Sequence, residues 1–165
     1  RLRRVQSNAI SYNAAISACE KGVRWHEALG LFMDMRLRRI EPNSFTHHAA
    51  LHACGNGARW HEAFRMYTNM RSCSFDPNLS TCGVAFRACM KLALWHEALD
   101  IFRGMWSRHL ETNVIMCNSA ITACIKGDSW HESLNIFADM RLRRLEANVI
   151  TYNAAISACG KGALW

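Results

Sequence analysis

Proline is nearly missing from this chain of 165 residues, which holds only Pro42 and Pro77, and glycine is modest at nine. Collagen-like and linker sequences are thereby excluded, and a hydrophobic share of 50% excludes a disordered chain. No apolar run is long enough to span a bilayer, and no stretch alternates as a half-buried strand does. No secretory or transit segment is visible. No two of the eight cysteines form a Cys-x-x-Cys pair, which excludes the zinc-deaminase signature. No second histidine follows His26-Glu27, His61-Glu62, His96-Glu97 or His131-Glu132 four residues on, which excludes a zincin.

What the chain does have is a period. Tryptophan returns every 35 residues, at Trp25, Trp60, Trp95, Trp130 and Trp165. Cysteine keeps the same step at Cys19, Cys54, Cys89, Cys124 and Cys159, and asparagine at Asn8, Asn43, Asn78, Asn113 and Asn148. Methionine follows at Met35, Met70, Met105 and Met140, and no insertion breaks the register. A fixed period of this size means stacked supersecondary units that share one continuous core. Equivalent positions in stacked units lie roughly 10 Å or more apart, too far for a disulfide. The periodic cysteines therefore read as small buried apolar residues of a reducing compartment.

Framed on this period, the repeats run 9–43, 44–78, 79–113 and 114–148. Residues 1–8 are the end of a preceding repeat and 149–165 the first helix of a fifth. Both ends cut a repeat, which predicts a fragment of a longer array. In the first half of 9–43, Tyr12, Ala15, Ile16 and Cys19 fall on one helical face. Gly22, Gly57, Gly127 and Gly162 stand where a left-handed residue stops a helix; 79–113 has Leu92 there, which predicts a less comfortable ending. The second half opens at Trp-His-Glu, whose glutamate suits a helix N-terminus. Trp25, Ala28, Leu29, Phe32 and Met35 then form an apolar stripe. Arginines close that helix, at Arg36–Arg39 and Arg141–Arg144, as at Arg1–Arg4 before the first full repeat. The expected fold is all-α: a right-handed superhelical α-solenoid of antiparallel helix pairs, with the first helices lining a concave face. The tryptophans are expected as core wedges between repeats, Trp95 fully buried among them. His48 and His52 stand four apart with too few companions for a metal site, and read as surface or groove histidines.

The text of the repeat resembles the pentatricopeptide repeat (PPR). It carries Val149-Ile150-Thr151-Tyr152-Asn153, then Ile156, Ala158-Cys159 and Lys161-Gly162 from the first helix. From the second helix and turn come Glu27-Ala28-Leu29, Leu31-Phe32, Met35 and Glu41-Pro42-Asn43. The resemblance covers essentially the whole chain. It implies binding of single-stranded RNA in plastids or mitochondria, one base per repeat, in RNA processing, stability or translation. It implies no catalytic residues, no cofactor or metal, no membrane partner and no small-molecule substrate. The net charge of +7 suits an acidic partner.

The resemblance also implies residue roles. The fifth and last residues of a repeat read the base: Asn13 with Asn43, His48 with Asn78, Gly83 with Asn113, Asn118 with Asn148, and Asn153 without its partner. An asparagine pair offers both donor and acceptor to a pyrimidine edge. Ile10, Phe45, Ile115 and Ile150 would sandwich bases, and Lys21, Lys91, Lys126 and Lys161 would approach the backbone. Repeats 44–78 and 79–113 depart from the pattern. The first has His48 as reader and Asn56 in place of the lysine; the second has Gly83, and Ser80 in place of an apolar sandwich residue. Both are expected to be weak or spacer-like. The alternatives are a protein–protein scaffold, or the targeting part of an RNA-processing enzyme whose catalytic domain lies elsewhere.

Overall fold

A computed structural model describes residues 8–110 and 112–162. Arg1–Arg4 and Trp165, singled out above, lie outside the described residues. The described residues form helices and no strand, an all-α helical-repeat solenoid. The helices are α1 Ala9–Lys21, α2 Trp25–Leu37, α3 Ser44–Asn56, α4 Trp60–Ser72, α5 Leu79–Lys91, α6 Trp95–Ser107, α7 Val114–Lys126, α8 Trp130–Leu142 and α9 Val149–Lys161. Among the described residues no helix is long and apolar enough to cross a membrane.

The chain divides into two compact units, residues 1–88 and 89–165, with the division inside α5. In the first, α1 packs on α2 and α3, and α3 packs on α2 and α4. Ile16, Phe32, Met35, Leu51 and Met70 are its largest fully enclosed apolar side chains. Ala49, Ala50 and Ala53 sit inside α3 with no exposed surface, and such short side chains let helix axes approach closely. Gly55 extends this to α5: a Cβ there would stand 2.4 Å from Val84 Cγ1. In the second unit α7 packs on α6, α8 and α9, around Leu99, Met105, Ile121 and Met140. Cys54, Cys89 and Cys124 are buried thiols, and burial pushes each up to about 12. Cys19 and Cys159 are half-buried, and all eight cysteines are free.

Each first helix starts on the periodic asparagine. Asn8, Asn43, Asn113 and Asn148 are N-caps whose side chains accept from the backbone N–H three residues on. Asn78 does the same for Thr81 N–H at 2.9 Å. Thr46 and Thr151 return the bond to Asn43 N–H and Asn148 N–H, which completes a capping box. The second helices have no side-chain cap at Arg24, Arg59, Leu94 or Ser129. In α2 and α4 the glutamate of Trp-His-Glu works at this end instead. The backbone N–H of Glu27, then the Arg24 guanidinium, hold the Glu27 carboxyl below its usual range.

The helix endings correct the expectation about glycine. Gly22, Gly57, Gly127 and Gly162 have φ between −80° and −89°, which is not left-handed. The left-handed residue is the next one: Val23, Ala58, Ala93 and Asp128, with φ of 54° to 57°. The second helices repeat this at Arg39, Ser74, His109 and Arg144. The following N–H then reaches back across the turn, as in Arg24 N–H to Cys19 O at 2.8 Å and Ile40 N–H to Met35 O at 3.0 Å. The acceptor is always the periodic cysteine or methionine. At 79–113 the ending is no less regular, with Ala93 φ 57° and Leu94 N–H to Cys89 O at 2.9 Å. Leu92 costs nothing in backbone conformation, because its position is not the left-handed one.

What the glycine supplies is room. A Cβ on Gly57 would lie 2.5 Å from Trp25 Cδ1, and one on Gly162 would lie 2.8 Å from Trp130 Cε3. The tryptophan of one repeat thus wedges against the first-helix end of the next. Trp25, Trp60, Trp95 and Trp130 are half-buried, however, and the expected full burial of Trp95 does not hold. Cations cover two of the rings: Arg59 lies 4.5 Å from the Trp25 centroid and Lys126 4.9 Å from that of Trp95. Among the terminal arginines, Arg38 pairs with Asp34 at 2.9 Å, and Arg143 stacks on Trp106 at 3.8 Å.

Candidate nucleic-acid interface

The capping asparagines also organise the candidate reading positions. Asn43 Oδ1 accepts Thr46 N–H at 3.0 Å, and Thr46 Oγ1 stands 2.9 Å from the same oxygen and 2.6 Å from Asn13 Oδ1. Asn13 and Asn43 therefore meet through one threonine hydroxyl. In the next repeat His48 Nδ1 lies 2.6 Å from Thr81 Oγ1, which lies 2.8 Å from Asn78 Oδ1. Asn118 dispenses with the threonine: its Nδ2 donates directly to Asn148 Oδ1 at 3.3 Å. Asn148 Oδ1 is already committed as acceptor to Thr151 N–H at 3.0 Å, so Asn118 must offer N–H there. That turns Asn118 Oδ1 inward, where it is buried without a partner. Three fifth-position side chains are thus brought to the last-position asparagine of their own repeat.

Gly83 is half-buried, and a Cβ on it would meet nothing within 4 Å. Asn113 caps α7 through Met116 N–H at 2.9 Å. Asn153 is exposed on α9.

One helical turn before these positions stand large apolar side chains in solvent: Ile10 at 75% exposure, Phe45 at 52%, Ile115 at 74% and Ile150 at 64%. The step from Ile10 to Asn13, Phe45 to His48, Ile115 to Asn118 and Ile150 to Asn153 is three residues, which places each pair on one helix face. Ser80 takes the equivalent place on α5, exposed, with its hydroxyl 3.1 Å from His52 Nε2. His52 itself is lowered to about 4 by burial first, then by His48 and Arg87. Its ring lies tilted by 33° against that of His48, with 4.3 Å between centroids.

Lys21, Lys91, Lys126 and Lys161 are all exposed at the ends of first helices. Two are drawn back onto the protein. Lys161 Nζ donates to Ile125 O at 2.6 Å and pairs with Asp128 at 3.1 Å, while Lys126 covers Trp95. Asn56, in the place of a lysine, reaches the equivalent carbonyl, Glu20 O, at 3.5 Å. The orphan carbonyls of a helix end attract such donors. Sequence reasoning missed this and the linking threonines. The second had a signal in Asn43-x-x-Thr46, Asn78-x-x-Thr81 and Asn148-x-x-Thr151, a capping-box spacing.

Family models and solved structures point the same way. A PPR repeat family model matches residues 7–56, a PPR repeat model 80–110, and a pentatricopeptide repeat domain model 100–162. No curated protein matches the chain. Among solved structures the chain is similar to the pentatricopeptide repeat protein PPR10 from maize, at 26% identity and a TM-score of 0.53, over 97% of this chain and 23% of that one. It is also similar to PPR10 in complex with an 18-nt psaJ RNA element, at 21% identity and a TM-score of 0.60, over 98% and 23%. A third is the PPR domain of Arabidopsis thaliana protein-only RNase P 1 in complex with tRNA, at 14% identity and a TM-score of 0.72, over 95% and 83%. The chain thus spans 23% of the length of the PPR10 chains it matches.

Proposed function

Because this chain belongs to the pentatricopeptide repeat family, we propose that it holds single-stranded RNA and reads it one base per repeat. The observation that carries this reading is the meeting of fifth and last residues, through Thr46 for Asn13 and Asn43 and directly for Asn118 and Asn148. Each pair sets amide groups beside an exposed apolar side chain, Ile10 or Ile115, which gives a base a surface to lie on and an edge to pair with. PPR10 and protein-only RNase P 1 are themselves seen with RNA. The net charge of +7 supplies a phosphate attraction that weakens with salt.

Lys21 and Lys91 serve the backbone on this reading, with Lys126 and Lys161 joining them when they leave Trp95 and Asp128. The role is binding, in organellar RNA processing, stability or translation. Any catalytic step belongs to sequence outside this chain.

The test is equilibrium binding to single-stranded RNA at two salt concentrations, with duplex RNA as control. Asn13→Ala combined with Asn118→Ala is expected to weaken binding to pyrimidine-containing RNA about tenfold or more, at one net hydrogen bond per side chain. The helical circular dichroism is expected to stay unchanged. Equal affinity in the variant would remove the base-reading assignment. Binding without base preference that vanishes at moderate salt would reduce the interaction to charge alone.

A further inference from the structure

The second helices of the first unit carry a groove that none of the candidate RNA-contact residues lines. We propose that this groove, between α2 and α4, is a docking site for an acidic amphipathic helix of a partner protein. Such a site is independent of the RNA-reading function above.

α2 and α4 each pack on α3, and a groove of about 560 Å³ runs between them. Leu29, Phe32 and Met33 of α2 and Met66 of α4 give it an apolar surface. On α2 these residues and Arg36 follow at steps of three and four, as one stripe. Met33 stands 54% exposed, and a methionine side chain adapts its shape to whatever covers it. Thr68 and Ser72 also line the groove, but their hydroxyls are spent on their own helix. They donate to Arg65 O at 2.9 Å and to Asn69 O at 2.8 Å. The polar groups left to a ligand are then the Asn69 amide and two exposed guanidiniums, Arg36 and Arg65.

The guanidiniums decide the charge of the partner. No carboxylate lines the groove, and among the described residues neither arginine meets one at ion-pair distance. Glu41 stands in the adjoining hollow beyond Arg36 without pairing with it. The position on α4 equivalent to Arg36 is Arg71, six residues after Arg65. The two cations thus sit on opposite walls, offset by about 9 Å along the helices at 1.5 Å per residue. An apolar floor bracketed by two cations fits a helix with an apolar stripe and acidic flanks. RNA fits it poorly, since its bases would find almost no hydrogen-bonding edge there.

The second unit supplies the contrast. Its equivalent groove lies between α6 and α8 and measures about 200 Å³. There Trp106 stands in the place of Arg36, Asn135 in that of Arg65 and Asp139 in that of Asn69. Arg103, in the place of Met33, crosses the groove to Glu132 and also pairs with Asp100. That groove is bridged by its own ion pair and lined with acid, so an acidic helix has no counter-charge to meet.

The test is binding of a labelled synthetic helix with leucine along one face and glutamate on both flanks. A version with lysine for glutamate is the comparison. The acidic helix is expected to bind about tenfold or more tighter, because the lysine version sets like charges across the groove. Arg36→Glu with Arg65→Glu is expected to reverse that order, and Arg36→Gln with Arg65→Gln to erase it. Met33→Ser is expected to weaken the acidic helix through lost apolar contact. A spin label on the peptide is expected to broaden amide signals of α2 and α4 and to spare α6 and α8.

Equal affinity for the two helices, an order that the charge reversal leaves unchanged, or broadening at α6 and α8 alone overturns the proposal. So does self-association of the parent that Met33→Ser abolishes, which would give the groove to a second copy of this chain. RNA binding separates the two functions. Arg39→Glu with Arg71→Glu matches the change in net charge outside the groove, and both double variants are expected to lower RNA affinity equally. A larger loss for the groove variant would make the groove an RNA surface and overturn the proposal. If no RNA binds the parent chain, base reading falls, and the docking site stands or falls on the peptide result.

Discussion

Two histidines on α3 show how single side chains set the acid limit of this protein. His47 is buried, and burial lowers its pKa against the opposing pull of the Asn43 carbonyl on Nδ1. His52 is lowered further, to about 4, by burial first and then by the neighbouring His48 and Arg87. Both are neutral in the fold and bind protons more readily once it opens. Stability contributed by His52 is therefore fully present above an unfolded value of 6.5 and is lost as pH falls toward 4. Between pH 6.5 and 4.5 the thermal midpoint is expected to drop, by the equivalent of about 1–3 kcal/mol for a shift of this size. The carboxyls of Glu27, Asp34 and Glu62 are held below their ordinary range, so the stability they contribute is present at neutral pH and is lost toward the acid end, at and below the ordinary carboxyl range. His52→Gln is expected to flatten the profile; an unchanged slope would assign the acid sensitivity elsewhere.

At the scale of the helix, the endings make a prediction opposite to the one their glycines suggest. Val23 is a β-branched residue held at φ 55°, a conformation that costs an L residue about 1–2 kcal/mol. Val23→Gly is expected to raise stability by about 1 kcal/mol, after the entropy that glycine adds to the unfolded chain. Gly57→Ala is expected to lower it by about 1–3 kcal/mol, because the new methyl meets the Trp25 ring. Gly30→Ala, inside α2 with nothing within 4 Å, serves as the neutral-to-stabilising control. Chemical denaturation measures all three, and a stabilised Gly57→Ala would show that the wedge does not bear on that glycine.

This is also where the sequence was easiest and hardest to read. The 3.6-residue stripes of Phe32, Met35 and Ile16 announce the helices, because burial leaves a periodic trace. The left-handed residue left no such trace, since valine, alanine and aspartate give no local signal for it, and the nearby glycine answers to a ring in another helix. The candidate site divides the same way. Asn13 and Asn43 were identified through resemblance, whereas the hydroxyl that joins them comes from Thr46, 33 residues beyond Asn13. Only folding brings those groups together.

For the chain as a whole, the period does its work through nearest neighbours. Trp25, Trp95 and Trp130 each meet the next first-helix end, as Trp95 meets Gly127, with its closest approach 3.3 Å from a Cβ there. Trp95 is half-buried, so Trp95→Ala is expected to cost about 1–3 kcal/mol, below the range for an enclosed tryptophan. A loss above that range in urea unfolding would mean that the ring is shielded more fully in solution. Nearest-neighbour coupling also makes such losses local, because a repeat array adds its stability unit by unit.

The asparagines that start the first helices have a consequence for how such a chain can diversify. Asn43, Asn78 and Asn148 each hold the N-terminus of the next helix and, on the proposed reading, face the ligand as well. A helix start accepts asparagine, aspartate, serine or threonine with little loss, and penalises most other residues by about 1 kcal/mol. The vocabulary open to that reading position is thus a short one, fixed by the mechanics of helix initiation before any base is chosen. The fifth position, mid-helix and free of that duty, is where a change such as histidine for asparagine can be tried without unseating the fold.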